Sequence, residues 1–394
     1  MKYTSLSIKI SAFLIFLSSS YFKFFGPEVI SSNALNSISF TQILGALLFI
    51  SIILLNEIVR KKFSFKIDQI LFLFFISSFI SSMLNFNVNT ILNFSILFIN
   101  TLCIFLIFKD NSLKNLDLLN SFFLLYISLF SFAMIAQFLL YGIDLNGRNV
   151  GNFHPNTFGI QGLIILSLSF FSTNNNLLRS FFLIISFFLP SIVVSRGGLF
   201  AILFFLLFYL IFKYLINKNL SKILNYLSLG FIFLAPIFII LIYLLFPQLR
   251  EIFVYFELID SASRGLNSGF TGRTNLWVNA LELFQFKPLF GYGFNNFGYK
   301  IHSSWLKILI ETGLFGFSLF FIFLLKLFLR SIYTLKNNYN EKLCVATSFV
   351  MGACAFGMIE NLIFEVTQAF SLLFFFFISF IYYFLNQSNK NYSS

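Results

Sequence analysis

In FGYGFNNFGYKIHSSWLKILIETGLFG, residues 290–316, a Gly, Asn and Tyr loop runs straight into an apolar helix, and His302 stands at the joint. With a reference pKa of about 6.5, a neutral imidazole there accepts a proton at external pH. The plainer alternative is an interfacial amphipathic side chain. Arg196 in LPSIVVSRGGLF and Arg273 in SRGLNSGFTGRTNLW each coincide with the expected start of a helix, and Arg264 lies nine residues before Arg273. A helix N-terminus carries positive partial charge, so a cation there is unfavourable until an anion arrives, and the arginine fork matches a diphosphate. Arginines snorkelling to headgroup phosphates are the competing explanation. In NGRNVGNFHPNTFGIQG, Asn156 is placed to cap the next helix beside Arg148 and His154, which also suits an anion, although a capped turn explains His-Pro-Asn as well. Arg250 reads as a solvated loop residue. Tyr292 and Asn295 are supporting or acceptor-side candidates, and Glu360 and Glu365 are secondary candidates for the base.

These residues need elements to hold them, and composition says which kind. With 394 residues, 58% hydrophobic, 10% charged and 64 Phe, the chain has too little charged surface to cover a soluble globule. It reads as an all-α polytopic membrane protein, a single membrane domain over 1–394. Alternating segments of about ten residues, the mark of a β-barrel, are not seen. The basic, apolar N-terminus resembles a signal peptide but lacks an A-x-A site, so it reads as a retained first helix. Cys103, Cys344 and Cys354 have no metal-ligand spacing, and no metal or cofactor is expected. A net charge of +12 accompanies apolar runs, so it points to orientation in a membrane rather than to nucleic acid.

About twelve spans are predicted, near 8–25, 38–58, 67–84, 90–108, 118–141, 157–173, 177–194, 198–216, 222–246, 303–328, 341–359 and 366–385. The lysine-rich loops RKKFSFK, KDNSLKNLD, LINKNLSK and KLFLRSIYTLKNNYNEK fall on one side with both termini, which the positive-inside rule makes cytoplasmic. The other side receives 26–37, 85–89, 143–156, 195–197, 360–365 and the long segment 247–302 between spans nine and ten. Within that segment Leu276, Trp277, Ala280, Leu281 and Phe284 recur at helical spacing, which predicts an amphipathic surface helix ending before Pro288. Pro190 is expected to kink the seventh helix, and Gly197 and Gly198 to reverse the chain. Gly313 and Gly316 are expected to allow close helix packing, and Lys307 with Glu311, four apart, to form an intrahelical ion pair.

On this topology 14 of the 18 lysines are cytoplasmic, whereas five of the eight arginines (Arg148, Arg196, Arg250, Arg264, Arg273) face outward. Inner-leaflet anchoring needs only point charges, but binding a phosphate through two hydrogen bonds needs the planar fork of Arg. The outer face therefore reads as an anion site.

SRG opening a span, TGRTNLWVNALELFQFKPLFGYGFNNF in a large outer loop, and His302-Ser303 followed by Gly313-x-x-Gly316 together resemble the O-antigen ligase and polymerase superfamily. These are bacterial inner-membrane glycosyltransferases with a twelve-span, glycosyltransferase-C-like fold. The resemblance covers the chain from about Arg148 onward. It implies an undecaprenyl-diphosphate-linked glycan as donor, and a glycan or lipid A core as acceptor. A chain-length regulator is a further implied partner. Arg196 and Arg273 would hold the diphosphate and His302 would be the base. Arg148 and Gly159 match an outer-loop spacing of the polymerases, but no second copy occurs at Arg250, Arg264 or Arg273. Lipid-linked glycan transfer, inverting and metal-independent, is thus expected, as polymerase or as ligase. A twelve-span transporter is the alternative of another class; it predicts related halves and midplane charges, whereas the polar residues here concentrate outside.

Overall fold

The computed structural model describes residues 2–19, 40–59, 67–108, 116–142, 155–192, 195–215, 269–296, 301–365 and 368–392. They form α1 (Lys2–Ser19), α2 (Phe40–Val59), α3 (Gln69–Leu84), α4 (Val88–Ile107), α5 (Leu116–Tyr141), α6 (Pro155–Ser172), α7 (Asn176–Ile192) and α8 (Arg196–Leu210). A π-helical turn (Ile211–Leu215) extends α8, followed by α9 (Gly269–Phe286), α10 (Ser304–Asn337), α11 (Glu341–Phe356) and α12 (Ala369–Tyr392). Among the described residues there is no strand, and five helices are long and apolar enough to cross a membrane. The chain is an all-helical integral membrane protein. The expected ninth span, 222–246, lies outside the described residues, as do Arg148, His154, Arg250 and Arg264.

α12 is apolar on all sides, the pattern of a helix with no face to spare for lipid or water. Phe374, Phe375, Phe376, Phe377 and Phe380 are all buried, and Phe376 meets Phe13, Phe108 and Phe123 at ring-centroid distances of 5.0, 5.0 and 5.3 Å. One helix therefore gathers α1, α4 and α5 through aromatic edges and faces. Glycines set the other close crossings. A Cβ on Gly159 of α6 would lie 2.5 Å from the Gly198 Cα of α8, so only two glycines let those backbones meet. Gly198 is thus inside a helix crossing instead of reversing the chain. Pro190 lacks the N–H that would bond Ser186 O, and a Cβ on Gly162 would lie 2.5 Å from that carbonyl; α6 packs directly onto the gap the proline leaves.

The charged groups of the lysine-rich end are tied into the bundle. Lys9 is buried in α1 and donates to Glu57 (2.7 Å) and to Leu106 O (2.9 Å), so it links three helices instead of touching headgroups. Arg179 of α7 donates to Thr173 O, Glu341 and Phe170 O at 2.6, 2.7 and 3.0 Å, and Tyr209 O–H reaches the same Glu341 oxygen at 2.9 Å. α10 runs to Asn337, nine residues past its expected limit, because Lys326, Arg330 and Lys336 are good helix formers that need not stop where the hydrocarbon does.

At the opposite end α10 is broken. Gly313 has φ 68° and ψ −174°, a region open essentially to glycine alone. A break inside a span frees carbonyls and amides that lipid cannot satisfy. The chain after α9 supplies the partners as a strap: Tyr292 N–H donates to Ile310 O (2.9 Å), Gly293 N–H to Glu311 O (3.0 Å), Leu314 N–H to Pro288 O (2.8 Å) and Phe315 N–H to Leu289 O (3.2 Å). α3 secures the strap from behind: Gly293 N–H also donates to Ser81 Oγ at 3.0 Å, Ser81 Oγ in turn donates to Glu311 O of α10 at 2.6 Å, and Asn85 Nδ2 donates to Gly291 O at 3.0 Å. Gly313 therefore packs against a strap of backbone, not against a neighbouring helix, and Gly291 and Gly293 (φ 69° and 89°) allow the strap its turns. Gly313→Ala would bring a Cβ to 2.2 Å from Leu289 O in a conformation alanine avoids. It is expected to destabilise the purified protein by about 3 kcal/mol or more, read as a lowered Tm in detergent, with Gly142→Ala, whose Cβ meets nothing within 4 Å, losing only the cost of the positive φ.

Candidate functional site

The joint at His302 is built from three segments. Ser303 is extended (φ −163°, ψ 119°) and caps α10, its Oγ accepting from Leu306 N–H at 3.3 Å, so the helix starts directly after the histidine. α11 ends at Gly357, and the 357–365 loop folds back over that start: Ser304 N–H donates to Gly357 O at 2.7 Å. α9 crosses beside both. Arg273 and Trp277, four apart and therefore on one face, point the same way, and Trp277 Nε1–H approaches His302 O at 3.4 Å.

Glu360 stands where the three segments meet. Arg273 donates through Nη2 to Glu360 Oε1 (2.6 Å) and through Nη1 to Ile359 O (2.6 Å), and His302 Nδ1 lies 3.4 Å from Glu360 Oε2. A Cβ on Gly197, in the first turn of α8, would lie 3.6 Å from Glu360 Oε1, which brings the SRG start of that helix to the same carboxylate. Glu360 is 7% exposed and His302 keeps about a third of its side-chain surface, so the carboxylate is inside and the imidazole faces out. Burial by itself pushes the Glu360 carboxyl up, but the His302 hydrogen bond and the Arg273 guanidinium outweigh it and hold the group below the usual carboxylate range.

Of the residues singled out by sequence, Arg196, Arg273, His302 and Glu360 are brought to this end of the molecule, three of them in contact. Ser195, the N-cap of α8, is buried with no partner for its Oγ among the described residues. Asn156 falls in the first turn of α6 instead of at its cap, because Pro155, with no N–H to lose and φ already set, opens the helix. Tyr292 and Asn295 belong to the strap: the Tyr292 hydroxyl donates to Leu283 O (3.0 Å), and Asn295 takes a positive φ of 55° in the turn. Glu365 is held by Lys307 at 2.9 Å and by Asn361 at 2.5 Å. Lys307 is 3.9 Å from Glu311, so its nearer partner is the loop and not its own helix. On α9, Ala280 is buried and Phe284 packs beside it, while Leu281 and Val278 are 45% and 54% exposed, on the side away from α10.

Sequence reasoning missed Trp277 as a contact of His302 and Ser304 as a contact of Glu360. The Arg273-Trp277 spacing was a usable signal; nothing marked Ser304 apart from Ser303. Beside the joint lies an apolar cavity of about 240 Å³, lined by Trp277, Ser303, Trp305, Leu306, Phe317 and Met358 among others.

The depressed carboxyl has a measurable consequence. A group with a lowered folded pKa contributes stability that is present above its unfolded value of about 4.3 and is lost as pH falls through the folded one. Between about pH 5 and pH 3 the Tm of the protein is therefore expected to fall more steeply than that of Glu360→Gln; parallel curves would show that Glu360 is not ionised against His302 and Arg273.

A family model described as O-Antigen ligase matches residues 181–321, from α7 through the strap, His302 and the break in α10. A search of curated proteins finds no match.

Proposed function

We propose that this chain, which the match over residues 181–321 assigns to the O-antigen ligase and polymerase superfamily, transfers a glycan from undecaprenyl diphosphate to an acceptor sugar at the outer face of the bacterial inner membrane. The observation that carries the reading is the Arg273–Glu360–His302 contact at the start of α10, with the α8 N-terminus beside it. The acceptor hydroxyl oxygen attacks the anomeric carbon, that C–O bond forms, and the bond to the diphosphate oxygen breaks with its electron pair leaving on the lipid diphosphate. The hydroxyl proton passes to His302. With Nδ1 turned to Glu360, Nε2 is the nitrogen that receives it, and the carboxylate stabilises the imidazolium that forms. A single displacement inverts the anomeric centre. The growing negative charge on the leaving group is met by Arg196 on the positive end of α8, by the Ser195 hydroxyl and by the donors of Arg273 not engaged with Ile359 and Glu360. In the same reading Arg148 and Arg264 add to the diphosphate site, Glu365 supports the loop instead of acting as base, and the apolar cavity takes the first isoprene units.

We place both termini in the cytoplasm and the site outward. The polymerase reading, extension of a lipid-linked repeat, rests on the NGRNVGNFHPNTFG stretch. The ligase reading, delivery to lipid A core, is favoured by the description of the matching family. Gel analysis of surface glycan after deletion separates them. A single capped repeat marks a polymerase, and bare core with accumulated lipid-linked chains marks a ligase; unchanged glycan would sink both. His302→Ala, Arg196→Ala and Arg273→Ala are each expected to lower transfer at least about 100-fold while the protein stays folded, and full activity in His302→Ala would remove it as the base.

A further inference from the structure

We propose that Ser304 is a positioning residue for this transfer, the pin that holds Glu360 between Arg273 and His302. The proposal rests on the reading of the site just given. Ser304 is the first residue of α10 and is 1% exposed. Its hydroxyl donates to Glu360 O at 2.9 Å and accepts from Leu362 N–H at 3.0 Å and Ile363 N–H at 3.2 Å. That uses the one donor and both acceptor sites a serine has. Its backbone N–H, one of the four that a helix start leaves without a partner, is shared between Gly357 O at 2.7 Å and Glu360 O at 3.2 Å. One residue thus closes the whole 357–363 turn around itself.

Other buried hydroxyls of α10 and α11 behave differently. Thr312, Ser331 and Ser348 each return their hydrogen to a carbonyl four residues back in their own helix, at 2.7, 2.8 and 2.7 Å. Ser304 alone among these four bonds across to another segment. Two residues upstream of it is His302, and the backbone it grips is that of Glu360. The two groups come from segments 58 residues apart, and Ser304 is the shared point through which their spacing is set. A second tie, Lys307 to Glu365, holds the far end of the loop at 2.9 Å, and Ser371 Oγ bonds Ile363 O at 2.7 Å, so the loop stays folded when the pin alone is weakened. What the pin adds is the register of Glu360.

The test is a kinetic cycle on the full-length protein with a lipid-diphosphate-linked glycan as donor. Ser304→Ala is expected to lower kcat about tenfold with donor KM unchanged within about twofold, because the pin acts on the proton-accepting pair and not on donor binding. The double variant Ser304→Ala/Glu360→Gln is expected to be no slower than Glu360→Gln alone, since a residue acting through Glu360 has nothing left to position. The fall in Tm between about pH 5 and pH 3 should be shallower in Ser304→Ala than in the wild type, as the carboxyl loses the alignment with the groups that depress it. The groups facing it are Arg273 from α9, His302 before α10 and the α8 start carrying Arg196, with Lys307 and Glu365 further along the loop. Ser331→Ala, whose hydroxyl bonds only within its helix, should keep wild-type kcat. If the alanine variant does not fold, Ser304→Cys keeps the shape while weakening all three bonds, and it should fall between wild type and Glu360→Gln. Wild-type kcat in the folded serine variants while Glu360→Gln is impaired, or losses that multiply in the double variant, would overturn the pin and leave the site reading standing. An unimpaired Glu360→Gln would overturn both.

Discussion

A hydrocarbon environment leaves no backbone hydrogen bond unsatisfied, and the end of this molecule that carries His302 depends on that demand. α10 breaks at Gly313, and the break persists because residues 288–293 supply the partners for both of its edges. Each unpaired amide or carbonyl there would cost several kcal/mol, and the four bonds together offset the roughly 1–2 kcal/mol per residue that ordering the strap costs. The strap is also the continuation of α9. Pairing it to α10 therefore fixes where α9 lies, and α9 carries Arg273 and Trp277. The helix break is the reason that an arginine and a histidine 29 residues apart, Arg273 and His302, arrive at one carboxylate.

The electrostatics of the site follow from the same arrangement. A nearly buried carboxylate is expensive unless charged and hydrogen-bonding partners are present, and Glu360 has a guanidinium on one oxygen and an imidazole on the other. The two arginines at this end differ in how they are held. Arg273 is built into the wall, with two donors committed to the 359–360 backbone and side chain. Arg196 opens α8, whose start lies beside the same carboxylate. Lys307 and Glu365, beside them, tie the loop to the helix and complete the support.

Much of the framework was legible in the sequence. Among the described residues, apolar runs of about 20 residues located the eight helices up to residue 215 and the three after His302, since the length that spans hydrocarbon is a fixed physical quantity. The helix that carries Arg273 and stops before Pro288 was equally readable. The misreadings have a common cause. Gly198 was assigned to a chain reversal and Gly313 to helix packing, yet a glycine's sequence does not say which backbone approaches it. Lys307 does pair with Glu311 at 3.9 Å, as four residues make neighbours on a helix, but the closer carboxylate, Glu365 at 2.9 Å, comes from a loop 58 residues away, which no local spacing shows.

By itself, then, the sequence determined that the chain is a helical membrane protein, where its described helices run, and that Arg196, Arg273 and His302 stand at or beside helix starts. Those are consequences of hydropathy, charge and local spacing, all of which act over a few residues. Only the tertiary structure decided that Glu360 is the meeting point of Arg273 and His302, that Tyr292 and Asn295 serve the strap, and that Ser304 is the serine that bonds Glu360 O. Those outcomes turn on hydrogen bonds between segments far apart in the chain, and no local pattern encodes the partner of a buried donor.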